Sequence, residues 1–362
     1  MLALLLAIGA GLSPAAAAMA STNVVIGLLL PPEETEAASL RAGALLAIEQ
    51  VNKVASNASL VIRGRVGQWG ADGEEAARMV LDDGAQALVA PPNGAATHLA
   101  LQVAGRTAVP VVSLCADSSV SRTGVPWMVR IVPTTLEEGR FLLSRLNANN
   151  PDPPQWVALV PDGRPGREVA HDLNQAAAAA HQKLKRVYEV SSTRTNFGAL
   201  VAQVLNDQPA GVLVWLDPTL AGNCTKGLRQ AGLAGKLAGP SRCNSPAFLA
   251  ASGGESEGFT VPGMVVDGAG EGRLRAFLDA FRKRFGIDAD LTAAESYDAT
   301  CLLVHILKET PPQSLARAFP LRSSSAGVSG ELRFDTEGNR KVSLRLLTAR
   351  RGCFEAVGRE QE

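Results

Sequence analysis

Unbroken apolar runs alternate along this chain with segments in which apolar residues recur every third or fourth position. Val24-Val25-Ile26-Gly27-Leu28-Leu29-Leu30 is one such run, stopped by Pro31-Pro32. A strand buried on both faces of a parallel sheet reads this way. Leu40, Ala44, Ala47, Ile48 and Val51 then share one stripe of a helix, with Arg41, Glu49 and Asn52 turned away from it. The rhythm repeats, predicting strands over Leu60–Val66, Ala87–Ala90 and Val109–Leu114 and helices over Glu74–Leu81 and Ala95–Gly105. Strands alternating with helices mean βαβ units and a parallel sheet.

A second series follows Arg130-Ile131-Val132-Pro133-Thr134. It predicts helix Leu136–Leu146, strand Trp156–Val160, helix Arg167–Lys183, strand Arg186–Val190, helix Phe197–Leu205, strand Gly211–Leu216 and helix Thr219–Ala231. A third region carries strand Gly258–Val266, helices Arg273–Phe285 and Ala293–Lys308, and a β-rich stretch from Gly330 to Val357 that returns the chain to both halves. The expected fold is α/β, with two Rossmann-like lobes built on parallel sheets.

The first twenty residues have a separate character. Met1–Ile8 is almost wholly apolar, Gly9–Pro14 interrupts it, and Ala18-Met19-Ala20 has the small residues of a cleavage site. This predicts a secretory signal and a mature chain starting near Ser21, although no Lys or Arg stands near Met1. No later stretch has the about 18 uninterrupted apolar residues of a membrane helix. The 35 Lys and Arg are balanced by 35 Asp and Glu and scattered along the chain, which removes the basic footprint that nucleic acid or an anionic membrane requires. Cys115, Cys224, Cys243, Cys301 and Cys353 form no metal-ligand spacing, so no metal site is expected. In an oxidising compartment Cys224 and Cys243 could close a small loop, and the odd count leaves at least one thiol free or intermolecular.

Catalytic patterns are missing. There is no G-x-G-x-x-G after a strand, no G-x-x-x-x-G-K-[ST] and no G-x-S-x-G. His98, His171, His181 and His305 fall on predicted helices, and the pairs Asp82-Asp83 and Glu137-Glu138 fall at helix ends, where solvation and the helix dipole account for them. Neither an enzyme nor a cofactor is indicated. What remains is positional, since ligands of parallel α/β sheets bind beyond the carboxyl ends of the strands. The loops concerned are Pro31–Thr35, Pro91–Ala96, Cys115–Ser119, Asp162–Gly166, Asp217–Thr219 and Ser241–Asn244, whose small polar residues also suit turns and helix caps.

Several segments, in order, resemble a known family. Ile26-Gly27-Leu28-Leu29-Leu30-Pro31 with Arg41-Ala42-Gly43-Ala44 and Ala47-Ile48-Glu49-Gln50-Val51-Asn52 resembles the opening strand and helix of the leucine/isoleucine/valine-binding proteins, type I periplasmic binding proteins of ABC transporters. Val109–Ser113, Val129–Pro133, Leu228–Leu233, Glu257-Gly258-Phe259, Ser296–Ala299 and Gly330–Asp335 with Gly338 resemble later landmarks. The resemblance spans Asn23 to Val357. It implies a periplasmic protein without a cofactor, whose partners are a small-molecule ligand and the membrane permease of an ABC transporter. It also implies two lobes with three crossings, near Thr134, Met264 and Thr336: residues 21–134 with 265–335, and 135–264 with 336–362.

The family's amino-acid contacts do not carry over. Where the resemblance implies a Ser hydroxyl, Gly94 stands beside Asn93; where it implies a Thr for the ligand carboxylate, Asp117 follows Ala116 and precedes Ser118. Pro165 replaces a Tyr before Gly166, and Ser241 and Arg242 replace the acid after Gly239-Pro240 that would bind an ammonium. The expected contacts are therefore Asn93, Gly94, Ala116, Asp117 and Ser118 from the first lobe and Arg164, Asp217 and Ser241 from the second, with Arg242 a further charged anchor. Two readings follow: a pocket retuned for another small ligand, or a sensing or accessory protein on the same scaffold.

Overall fold

In the computed structural model, which describes residues 23–54, 57–64, 70–147, 155–266, 269–309, 319 and 325–357, Val24–Leu30 forms β1. β2 (Ala58–Gly64) and β3 (Ala87–Ala90) pair with it in parallel on either edge, followed by β4 (Val111–Ser113) and β5 (Met128–Arg130), in the order β2-β1-β3-β4-β5. Helices cover both faces, which is why β1 carries no polar alternation. On one face Ile26, Leu28, Val89 and Val112 pack with Leu40 and Ala44 of α1 (Glu34–Lys53) and Leu302 and Leu303 of α10 (Leu291–Glu309). On the other, Leu29 and Leu88 meet Met79 of α2 (Ala71–Leu81) and Ala100 and Leu101 of α3 (Gly94–Thr107). Gly43 lets α1 and α10 touch, because a Cβ there would stand 2.1 Å from the Ala293 carbonyl oxygen.

The second sheet has the order β14-β13-β10-β9-β8-β6-β7. Its parallel part consists of β6 (Trp156–Pro161), β7 (Leu184–Val190), β8 (Gly211–Val214), β9 (Lys236–Ala238) and β10 (Phe259–Met264). β13 (Leu344–Arg350) and β14 (Cys353–Ala356) close one edge antiparallel. Leu142 and Leu143 of α4 (Thr135–Leu146) and Leu173 of α5 (Gly163–Ala179) pack on Trp156, Ala158 and Val160. The other face holds Leu200 of α6 (Gly198–Asn206), Leu228 of α7 (Pro218–Gln230) and Phe248 of α8 (Pro246–Ser252).

The chain passes between the sheets three times. After β5, Thr134 caps α4 through a reciprocal box, its hydroxyl accepting the Glu137 N–H at 3.0 Å while the Glu137 carboxylate accepts the Thr134 N–H at 2.7 Å. After Met264 the chain returns to α9 (Ala269–Phe285) and α10 on the first sheet. A hairpin, β11 (Ser325–Gly327) and β12 (Gly330–Leu332), is pinned to α10 by Asp298, which accepts the N–H groups of Val328 at 2.7 Å and Ser329 at 2.9 Å. The third passage differs from the expectation near Thr336. Arg130 donates its N–H to the Gly338 carbonyl at 2.8 Å and accepts the Arg340 N–H at 3.0 Å, so this turn still belongs to the first sheet. The chain joins the second sheet only at Leu344.

Other departures have local causes. α5 begins at Gly163, ahead of Arg167, because Gly163 at φ +72° turns the chain straight out of β6 and Pro165 is tolerated in a first helical turn. β9 is too short for a period to show, and α8 follows a Ser245 cap and Pro246. The Cys224–Cys243 bridge is not made: both are free thiols packed as small apolar groups in the core under α7 and α8. The expected signal segment, 1–20, and the end of the predicted strand at Val66 lie outside the described residues. Among the described residues no helix is long and apolar enough to cross a membrane.

Candidate binding site

The loops leaving the carboxyl ends of the two parallel sheets meet along one seam, and two groups of side chains join across it. The first lies between the amino end of α3, the loop after β4 and the outer face of α5. Asn93 caps α3 by accepting the Ala96 N–H at 2.9 Å. Asp117 Oδ1 accepts the Ser119 N–H at 2.8 Å, while its Oδ2 is buried without a hydrogen-bond partner among the described residues, 3.8 Å from His98 Nε2. A Cβ on Gly94 would stand 2.8 Å from Asp117 Oδ2 and 3.4 Å from Glu168 Oε2, which places both carboxyls against Gly94. Ser118 donates its hydroxyl across the seam to Asp172 Oδ1 at 2.9 Å. Glu168 and Asp172 are one turn apart on α5, and Arg164, one turn earlier, holds Glu168 at 2.8 Å.

Burial works against the Asp117 charge, but the His98 ring and the Ser119 N–H and hydroxyl outweigh it and hold the carboxyl below the usual range. Glu168 moves the other way, raised by burial and by the Asp117 charge beside it. Asp172 is raised by burial, with Ser118 opposing. Of the two carboxyls facing Gly94, Glu168 keeps its proton to the higher pH.

The second group lies where the Ser241–Cys243 turn after β9 meets α1, α4 and α10. Arg242 forms an ion pair with Glu36 in the first turn of α1, across the seam. Ser241 donates its N–H to both carboxyl oxygens of Glu138, each at 3.3 Å. Glu138 is 2% exposed and Glu295, one turn into α10, is 6% exposed. Burial pushes Glu138 up to about 7 and Glu295 up to about 8, against the pull of Ser241 and Arg242 on the first and of Arg242 and Arg340 on the second. A cavity of about 420 Å³ opens next to this group, bounded by Ser241, Pro246, Leu249, Leu291 and Ala294. A larger depression of about 750 Å³, between Gln155 and Lys185, lies near the amino ends of β6 and β7, away from the seam.

The eight residues chosen from sequence divide. Asn93, Gly94, Asp117 and Ser118 come together, and Ala116 holds the adjoining backbone by accepting the Thr135 N–H at 2.9 Å. Ser241 faces Glu138. Arg164 is turned outward, its side chain 64% exposed and committed to Glu168. Asp217 caps α7, accepting the Leu220 N–H at 2.9 Å. Glu36, Glu138, Glu168, Asp172 and Glu295 were not anticipated. Glu138 in particular does not behave as a solvated helix-start charge; the capping belongs to Glu137. The apolar neighbours of Glu295, Ala293 and Ala294 before it and Ala299 after it, were a readable sign that its stripe of α10 is buried.

Two α/β bodies that meet at the carboxyl ends of their sheets and exchange the chain three times define a two-lobed binding protein. A family model described as periplasmic binding protein matches residues 24–342, and the chain belongs to that family. A leucine-, isoleucine-, valine-, threonine- and alanine-binding protein of Pseudomonas aeruginosa is 24% identical over 320 residues, covering 83% of this chain and 82% of that protein. Among solved structures, the branched-chain amino acid transporter substrate-binding protein LivJ of Streptococcus pneumoniae, in complex with isoleucine, is similar with a TM-score of 0.80 and 16% identity over 92% of this chain and 99% of that one. A solute-binding protein of an R. palustris ABC transporter, in complex with benzoate, reaches a TM-score of 0.80 at 17% identity over 93% and 96%.

Proposed function

We propose that this chain captures a small molecule in the seam between its two lobes and presents the closed form to the membrane permease of an ABC transporter, without altering the ligand chemically. The observation that carries the reading is the pairing of groups across the seam: Ser118 with Asp172, and Arg242 with Glu36. Contacts of this kind exist only when the lobes are together, so a ligand that touches both lobes shifts the open and closed populations by its differential affinity. Family membership and relatives named for amino-acid binding support the same reading. The proposed lining keeps Asn93, Gly94, Ala116, Asp117, Ser118, Arg164, Asp217 and Ser241 and adds Glu36, Glu138, Glu295 and Arg242. The apolar start of the chain supports export, with cleavage after Ala20.

A thermal-shift screen of the chain from Ser21 against amino acids, carboxylic acids, amines and alcohols tests the binding function. Ligand at 100 times its Kd adds about 2.7 kcal/mol of stability. A saturable shift without product formation is the expected result. A folded sample that responds to nothing favours the sensing or accessory reading, and product formation overturns both. For the export step, amino-terminal sequencing of protein from a periplasmic extract should begin at Ser21.

A further inference from the structure

We propose that Asp117 and Glu168 share one proton across the seam, so that the lobes close with the uptake of a proton and open when it is lost. This rests on the lobe movement required by the function proposed above, and adds a control on that movement that needs no ligand.

Asp117 is the starting point. It stands in the loop after β4, on the first lobe, and its Oδ2 is buried with no hydrogen-bond donor among the described residues. Its Oδ1 is already satisfied by the Ser119 N–H at 2.8 Å. A buried carboxylate oxygen without a donor is unfavourable. The group placed to supply one is Glu168 of α5, on the second lobe. Glu168 Oε2 and Asp117 Oδ2 flank the same point beside Gly94, 3.4 Å and 2.8 Å from where a Cβ would stand, and the two side chains are within hydrogen-bonding reach of each other. Arg164 holds the other oxygen of Glu168, Oε1, at 2.8 Å, which leaves Oε2 for Asp117.

Two ionised carboxylates only accept hydrogen bonds, and they repel each other. One proton between them turns the contact into a bond: Glu168 donates through Oε2 to Asp117 Oδ2, and the buried oxygen gains the donor it lacks. The proton belongs to Glu168. Against the cost of burial, the His98 ring and the Ser119 N–H and hydroxyl favour the ionised form of Asp117, whereas burial and the Asp117 charge favour the neutral form of Glu168.

This bond exists only while the lobes are together. When they part, Glu168 returns to water and to the ordinary range of a glutamate, and its proton is lost more readily. Proton affinity is therefore higher in the closed state, which gains on the open one as the pH falls from neutrality toward 4.5, the ordinary value of the group. For every tenfold by which closing raises that affinity, the open-to-closed ratio falls by up to about tenfold at low pH.

The charged and titratable neighbours come from four elements. His98 on α3 and Arg130 on β5 belong to the same lobe as Asp117, so their attraction to it does not cross the seam. Cys115, in the same loop, is pushed up to about 12 by burial and stays neutral. On α5, Arg164 keeps its charge throughout, and Asp172 accepts the Ser118 hydroxyl at 2.9 Å whether or not it is ionised. Asp172 is raised by burial and so responds to pH with the same sign as Glu168; substitution separates the two.

The test is small-angle scattering of the full chain without ligand at pH 8, 6.5, 5.5 and 4.5, with the melting temperature recorded at each pH to confirm folding. The radius of gyration should fall as the pH falls. Glu168→Gln carries a permanent donor toward Asp117 and should be compact at every pH. Glu168→Ala has no donor and should be no more compact at pH 4.5 than at pH 8. Asp172→Asn and His98→Gln should keep the response of the parent. A parent whose radius of gyration does not change with pH, or grows on acidification, overturns the proposal and leaves the binding function standing, since that is read separately by the thermal-shift screen. A response that survives Glu168→Gln, or that is lost in Asp172→Asn or His98→Gln, overturns the assignment to Asp117 and Glu168.

Discussion

Asp117 Oδ2 stands 2.8 Å from the point a Cβ on Gly94 would occupy, so the loop after β4 and the first turn of α3 fit together only because residue 94 has no side chain. The carboxylate cannot simply swing away, since its other oxygen is held by the Ser119 N–H at 2.8 Å. Gly94→Ala should destabilise the protein by about 1 to 3 kcal/mol, the usual range for forced overpacking. Most of that loss should vanish when Asp117→Ala is added. A double-mutant cycle by urea denaturation measures the coupling, and additive effects would show that the two residues do not compete for space.

The bond from Ser118 to Asp172 joins the two lobes directly, so it favours closure. Removing it with Ser118→Ala should shift the open and closed populations by about 1 kcal/mol. Small-angle scattering of the ligand-free variant should give a larger radius of gyration than the parent. Identical scattering would mean that closure does not depend on this bond.

Glu138 and Glu295 make stability depend on pH in an uncommon direction. Unfolded, both titrate near 4.5; folded, they are raised to about 7 and about 8 by burial. Between those values the native chain holds protons that the unfolded chain has released, so stability falls as pH rises through the window and levels off above it. The loss is at most on the order of 3 kcal/mol for Glu138 and 5 kcal/mol for Glu295. The urea midpoint of the parent should drop from pH 5.5 to pH 8.5 more steeply than that of Glu138→Gln. Parallel profiles would show that Glu138 is not held protonated.

Arg130 is 1% exposed and ties three segments together: it donates to the Asp117 carbonyl at 2.7 Å and to the Ser121 hydroxyl at 3.3 Å, and bonds Asn339 next to the third passage. Arg130→Ala should cost about 3 kcal/mol or more, since it removes a fully buried side chain and leaves three part-buried acceptors without this donor. Arg130→Lys should recover only part of this, because an ammonium cannot reproduce the planar fork. Full recovery by Lys in chemical denaturation would leave the charge, and not the fork, as what matters.

The cysteines offer a direct check on the unmade bridge. Cys353 is exposed, whereas Cys115, Cys224 and Cys243 are buried. Burial pushes the Cys115 and Cys224 thiols up to about 12, leaving negligible thiolate at neutral pH. A thiol reagent should label Cys353 within minutes and the other three only after denaturation. Intact mass of air-oxidised protein should show no loss of two hydrogens, and peptide mapping that joined Cys224 to Cys243 would contradict the structure.

The alternation of strands and helices was legible because it depends on local period. β1, β3 and β6 declare themselves as apolar runs, and α1 and α10 as stripes, since burial on both faces or on one imposes those patterns residue by residue. The loops at the strand ends followed from the same logic, and Gly94 and Asp117 were found in them. β9, α8 and the late third passage were not legible, because a three-residue strand has no period and the Arg130 to Gly338 and Arg340 bonds link positions far apart in the chain.

The sequence by itself determined the α/β class, the two sheets and the set of loops at their carboxyl ends, because hydrophobic period and turn chemistry act between neighbours along the chain. Only the tertiary structure decided which charged groups share the seam. Glu138 reads in sequence as one more acid at a helix start, and Glu295 as one polar position among small apolar ones. Their raised affinity for protons comes from burial among elements far apart in the chain, where Glu138 meets Ser241 103 residues further on, and no local pattern encodes that desolvation.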